Sequence, residues 1–279
     1  ETPLLADRTD GVEWTSIQRW FHELDQPEPH HFNQAILLEV DDDLEPDHLR
    51  QAIEALVRQH PALRTCHQRH GEMWSQHESV PSTWAAIETV RLGGSFDSTE
   101  RLASDVADRA QASLDLASGA VIRAVVFDTD PGQPTRLLLV IHHLAIDGVS
   151  WRILLQDLAL ACDQLRRGEL IRLAPVTSPP AVWAARLARY VHQEMPRDEQ
   201  DYWHPTNAVP PFTADIEGPD NGLVGSEGRV TTELDDLSTE KLLRNANRAY
   251  RTQTPELLIA ALSGAIARCL GTTRLRIDL

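Results

Sequence analysis

Basic residues are scarce in this chain. Lys and Arg total 26 against 42 Asp and Glu, a formal charge of −16 with His neutral. A nucleic-acid binder displaces counterions with an excess of Lys and Arg, so nucleic acid is excluded as a main partner. Cysteine is scarce too. Cys66, Cys162 and Cys269 are widely spaced and odd in number, which is neither a disulfide framework nor a zinc pattern. No apolar run approaches the ~18–20 residues that span a bilayer. Residues 1–10 lack the basic-then-apolar order of a signal peptide. The expectation is a soluble, cytoplasmic protein with no membrane partner. A P-loop and a Gly-x-Gly-x-x-Gly are both missing, so nucleotide and nicotinamide cofactors lack support. Gly225-Ser226-Glu227-Gly228 is one residue short of a nucleophile elbow, and no His-Glu-x-x-His zinc spacing occurs. Repeats and low-complexity tracts are lacking as well.

What remains is the composition of an ordinary globular protein, 42% hydrophobic and 24% charged over 279 residues. That length suits one large domain or two modest ones. Apolar periodicity predicts a helix capped by Thr15 or Ser16, with Ile17, Trp20, Phe21 and Leu24 inward. A strand over 33–40 and a helix capped by Asp47 follow. Two short strands flank Gly71, and a helix over 99–113 turns Leu102, Val106 and Ala110 inward. Strands over 121–128 and 136–143 flank Asp130-Pro131-Gly132, a turn sequence that predicts an antiparallel pair. A helix over 150–165 then places Trp151, Leu154, Leu155, Leu158, Cys162 and Leu165 on one face.

Pro175, Pro179 and Pro180 place a lobe boundary near residue 174, giving lobes over 1–174 and 175–279. In the second, a helix over 181–194 buries Trp183, Leu187, Tyr190 and Val191. Four prolines and four glycines make 204–228 a long loop. A strand over 229–234, a helix capped by Ser238, and a helix with Thr254 at its cap and Pro255 next come after it. The alternation Leu275, Ile277, Leu279 reads as a strand that the chain ends within, so the expectation is a fragment with an incomplete second lobe. Helices against mostly antiparallel strands in two lobes make the fold class α+β.

The candidate chemistry lies in His142-His143-Leu144-Ala145-Ile146-Asp147-Gly148, where an apolar strand ends and a helix begins. Neighbouring strand residues point to opposite faces, so one imidazole can face a cleft while the other packs inside. Histidine titrates near neutrality, and an exposed one can move a proton. The same pair also fits a plain polar cap on a strand. Divergence of the two rings argues against a metal held by both. Asp147 and Gly148 make the turn, and Asp147 can cap the helix or pair with Arg64 or Arg251. His30-His31, in a loop after Pro27-Glu28-Pro29, reads as a surface or packing feature, and Asp41-Asp42-Asp43 as solvent-facing.

The run from His142 through Val149-Ser150-Trp151-Arg152-Ile153-Leu154-Leu155 resembles the signature of epimerization domains of nonribosomal peptide synthetases. These belong to the condensation-domain superfamily marked by HHxxxDG, related to chloramphenicol acetyltransferase. Ile17-Gln18-Arg19-Trp20-Phe21, with Pro27 through Gln34, is similar to the opening of such a domain. His60-Pro61-Ala62-Leu63-Arg64-Thr65 and Tyr250-Arg251-Thr252-Gln253 resemble later motifs. The resemblance implies a two-lobed, chloramphenicol-acetyltransferase-like fold with mixed and antiparallel sheets. It implies inversion of an amino-acid α-carbon held as a thioester on the phosphopantetheine of a peptidyl carrier domain, among neighbouring synthetase domains. No cofactor is bound directly. His143 would lie at the reacting centre, while His142, Asp147 and Gly148 would be structural. The second proton source would be a glutamate in a stretch following 274–279. Alternatives are a condensing domain that joins two carrier-bound substrates, a non-catalytic carrier-docking module, and a CoA-dependent acyltransferase.

Overall fold

The computed structural model describes residues 13–40, 45–71, 73–78, 87–93, 96–129, 135–176, 178–203, 228–272 and 274–277. They fall into two compact units, 1–194 and 195–279. The turn at 130–132, the acidic run at 41–43 and nearly all of the 204–228 loop lie outside the described residues.

The first unit is built on a mixed four-stranded sheet. β1 (Asn33–Val40) runs antiparallel to β6 (Thr135–His142), and β6 antiparallel to β5 (Ile122–Asp128). β4 (Ile87–Arg91) joins β5 in parallel, with α3 (Phe96–Ala112) as the crossover between them. The order across the sheet is thus β1-β6-β5-β4. Sequence reading missed β4, whose Ile-Glu-Thr-Val-Arg is too short and too polar to stand out. β2 (Thr65–His70) and β3 (Met73–Glu78) form a separate hairpin, turned at Gly71 with φ +65°.

Alternation along the central strands supplies two apolar faces. Ile122, Ala124, Val126, Leu137, Leu139 and Ile141 face α2 (Pro46–Gln59) and α4 (Gly148–Arg166). Val125, Phe127, Leu138 and Val140 face α3 through Val106 and Ala110. The α4 stripe lies where periodicity put it, with Leu154, Leu158 and Cys162 buried and Trp151, Leu155 and Leu165 packed beside them. His60, at the end of α2, bonds Asp157 on α4 at 2.8 Å and ties the two helices together.

Several local expectations need correction. α1 (Ser16–Glu23) is capped by Thr15 in a reciprocal box with Gln18, but of its expected apolar face only Phe21 is buried. α2 starts two residues earlier than Asp47 at the cap would place it, because Pro46 presets the first helical φ and Glu45 takes the cap position. In α5 (Pro180–Arg189) the buried residue is Ala184, while Trp183 is 58% exposed. A π-helical turn at Tyr190–Glu194 extends α5.

The second unit holds α6 (Arg197–Trp203), α7 (Asp236–Glu240), α8 (Asn247–Tyr250) and α9 (Thr254–Leu270), with a π-helical stretch between α7 and α8. Asp235, not Ser238, caps α7, because its carboxylate accepts the Ser238 N–H at 2.6 Å. Gln253, not Thr254, sits at the cap of α9 and forms a capping box with Glu256. None of α9's apolar residues is buried, Leu258 and Leu262 being about half exposed. Residues 229–234 and 274–277 form no strand, and none of the described residues pairs with them in a ladder.

Candidate active site

The site grows from the register of β1 on β6. Asn33 pairs with His142 and Gln34 with Ile141, so Gln34 and Ile141 share the sheet face that looks toward α4. His143 lies two residues beyond Ile141, and the Phe32 carbonyl accepts its N–H at 2.8 Å, extending the ladder past the end of the strand. His142 turns the other way.

The two imidazoles therefore differ in everything but sequence position. His142 is fully buried. Its Nε2–H donates to the Pro29 carbonyl at 2.8 Å, and its Nδ1 accepts the Leu144 N–H at 3.1 Å, so both ring nitrogens are used by the neutral form. Burial pushes its pKa down to about 4, against the raising effect of the Pro29 carbonyl. His143 is half-buried. Its Nδ1 donates to the Ile146 carbonyl at 3.0 Å, and its Nε2 lies 3.0 Å from the Gln34 amide nitrogen. Phe32 stacks on its ring at 4.9 Å with planes 14° apart. Trp151, one turn into α4, donates its indole N–H to Gln34 Oε1 at 2.8 Å.

Asp147 is the N-cap of α4. One carboxylate oxygen accepts from the Ser150 hydroxyl at 2.6 Å, the Ser150 N–H at 2.7 Å and the Val149 N–H at 3.1 Å. The Ser150 hydroxyl and N–H, the Val149 N–H and nearby His143 hold this carboxyl below the usual range. Arg64 is not its partner. That guanidinium bonds the carbonyls of Val57 and Arg58 and lies 3.3 Å from Glu78, bracing the end of α2. Arg251 is in the second unit, in the left-handed conformation at the end of α8. Gly148 opens α4, where a Cβ would meet nothing within 4 Å, so close packing does not explain a glycine there.

Two cavities flank the motif loop. One of about 190 Å³ is lined by Ala145, Ile146 and Ser150 together with His60 and Leu154. Another, about 250 Å³, touches Leu144 and is walled by Gln18, Gln76 and Ala184. His143 lines neither. His30 bonds the Leu116 N–H through Nδ1 at 3.0 Å and so braces the loop before β5. A second histidine pair escaped sequence reading. His22 Nε2 and His67 Nδ1 lie 3.1 Å apart, buried between Trp14 and Trp74, and burial first of all holds both well below the usual imidazole range. Among the described residues, no group of three or more His, Cys, Asp or Glu is arranged to hold a metal.

The sequence brought His142, His143 and Asp147 together, but placed Trp151 only on the apolar face of its helix and gave Gln34 no role at the site. The signal for Gln34 was the pairing of β1 with β6, which joins segments about a hundred residues apart and is not written in either strand alone.

A family profile for the condensation domain matches residues 8–279. The chain belongs to the condensation-domain family. Among its relatives are a linear gramicidin synthase of Brevibacillus parabrevis, 37% identical over 276 residues, and surfactin synthase subunit 1 of Bacillus subtilis (strain 168), 30% identical over 269. The alignments cover 97% and 95% of this chain but only 4% and 7% of those proteins. Among solved structures, the epimerization domain from the third module of tyrocidine synthetase B is 30% identical with a TM-score of 0.76. That match covers 94% of this chain and 58% of the other. The first condensation domain of the calcium-dependent antibiotic synthetase, bound to a substrate analogue, shares the fold at 20% identity and a TM-score of 0.68, covering 94% and 61%. The mixed α/β architecture is that of condensation and epimerization domains. Among the described residues, no helix is long and apolar enough to cross a membrane.

Proposed function

We propose that this condensation-family chain is an epimerization domain, which inverts the α-carbon of an aminoacyl or peptidyl thioester from L to D. The substrate is carried on the phosphopantetheine of a peptidyl carrier domain, in a cytoplasmic synthetase with neighbouring domains. The observation that carries the reading is the half-buried His143, with its Nδ1 proton committed to Ile146 and its Nε2 turned toward the Gln34 amide. The 30% identity to an epimerization domain over 94% of the chain supports it.

A thioester carbonyl acidifies the adjacent C–H. His143 Nε2 takes that proton, the C–H electron pair passes into the carbonyl, and an enolate forms opposite an imidazolium. Return of a proton to the opposite face of the α-carbon gives the inverted centre, after which the imidazolium gives its proton up to solvent and the donor regains one before the next turnover. The resemblance to epimerization domains assigns that second proton to a glutamate following 274–279. His142 and Asp147 do not enter the chemistry. His142 pins the loop to Pro29, and Asp147 starts α4, so that His143 is presented at a fixed place.

A second reading, condensation, has the family profile and the shared fold behind it. His143 would then serve an attacking amine. The full-length protein, given a carrier loaded with an L-aminoacyl thioester and no acceptor, separates the two. Chiral analysis of the released amino acid finds both enantiomers under the epimerization reading. Retained L configuration, with a dipeptide formed once a second loaded carrier is added, establishes condensation instead.

A further inference from the structure

We propose that Gln34 and Trp151 are positioning residues that hold the His143 ring in the tautomer with its proton on Nδ1 and its lone pair on Nε2. Its catalytic meaning rests on the epimerization reading; its content rests on three hydrogen bonds. An indole N–H can only donate, so the bond from Trp151 Nε1 to Gln34, 2.8 Å long, fixes the oxygen end of that amide. The –NH2 end therefore faces His143 Nε2 at 3.0 Å. Two N–H groups cannot bond each other, so Nε2 carries the lone pair and Nδ1 the proton. From the other side, the Ile146 carbonyl can only accept, and it lies 3.0 Å from Nδ1. Both ends require the same tautomer.

The arrangement also disfavours the other tautomer. An Nε2–H would confront the Gln34 –NH2. Turning the amide over would relieve His143 but would set –NH2 against the Trp151 N–H. One amide thus transmits a restraint from α4 to the imidazole. Phe32, Gln34, Ile146 and Trp151 are uncharged. An incoming Cα–H takes the place of the Gln34 N–H, while the bond to Trp151 keeps the amide anchored.

The test is nitrogen NMR of the chain labelled with ¹⁵N-histidine, with His143→Asn identifying one signal among 12 histidines. The wild type shows the Nδ1–H tautomer. In Trp151→Phe the amide is free to turn, and the Nε2–H tautomer appears beside the Nδ1–H form. In Gln34→Glu, a carboxylate beside Nε2 can only accept, so that nitrogen carries a proton. α-Proton exchange slows in step in both. A ring that keeps only the Nδ1–H tautomer in either folded variant overturns the proposal, as does an Nε2–H tautomer in the wild type. Should Trp151→Phe fail to fold, the isosteric Gln34→Glu carries the test. The tautomer is read without substrate. A changed tautomer in a protein that exchanges no α-proton supports the positioning role and counts against epimerization alone.

Discussion

At the scale of single residues, the two adjacent histidines make opposite demands. His142 fills a closed space and uses both nitrogens, so His142→Ala leaves a cavity and strands the Pro29 carbonyl and Leu144 N–H. Denaturant titration should find it destabilised by about 3 kcal/mol. His143→Ala, at a half-buried position, should lose less than about 1 kcal/mol in the same titration while abolishing α-proton exchange. Equal losses from the two variants would contradict the division of roles. Asp147 contributes through geometry as the helix cap. Asp147→Ala should therefore cost about 1 kcal/mol, whereas Asp147→Ser, which keeps an accepting oxygen, retains most of the stability.

At the scale of elements, α4 is where packing and site meet. Its inner face joins the core, and its first turn carries both the Asp147 cap and Trp151. Truncating the buried Leu158 to Ala should cost about 2–5 kcal/mol by thermal or chemical unfolding. The same change at Leu160, 40% exposed on the outer face, should stay within about 0.5 kcal/mol. Elements of this kind were legible in sequence because one stripe is buried and its spacing says so. β1, β5, β6 and α4 emerged close to their bounds for that reason. β4 did not, since its strand character comes from lying beside β5 and not from its own residues. Alternation misled at 229–234 and 274–277, where the pattern is present but no described strand supplies hydrogen-bond partners. The histidine motif was readable as a contiguous string. Gln34 became visible only through the register that sets it beside His143.

At the scale of the whole molecule, buried neutral imidazoles set the acid limit. His22, His67 and His142 all titrate below their ordinary value of 6.5 because burial disfavours the charged ring, His142 at about 4. The unfolded chain therefore binds more protons than the folded one below pH 6.5. Stability is fully present above that pH and falls as the pH drops toward the folded values. Each histidine contributes a slope of about 1.4 kcal/mol per pH unit. Urea titrations stepped downward from pH 6.5 should show this loss, and His22→Asn should flatten it; a flat wild-type profile would contradict the account. For the whole protein acting on a loaded carrier, the most direct measurement is loss of deuterium from the α-carbon of a carrier-bound aminoacyl thioester in ordinary water, compared between wild type and His143→Ala. The label should be lost with the wild type and retained with the variant. Retention in both, or equal loss in both, would contradict a catalytic role for His143 in epimerization.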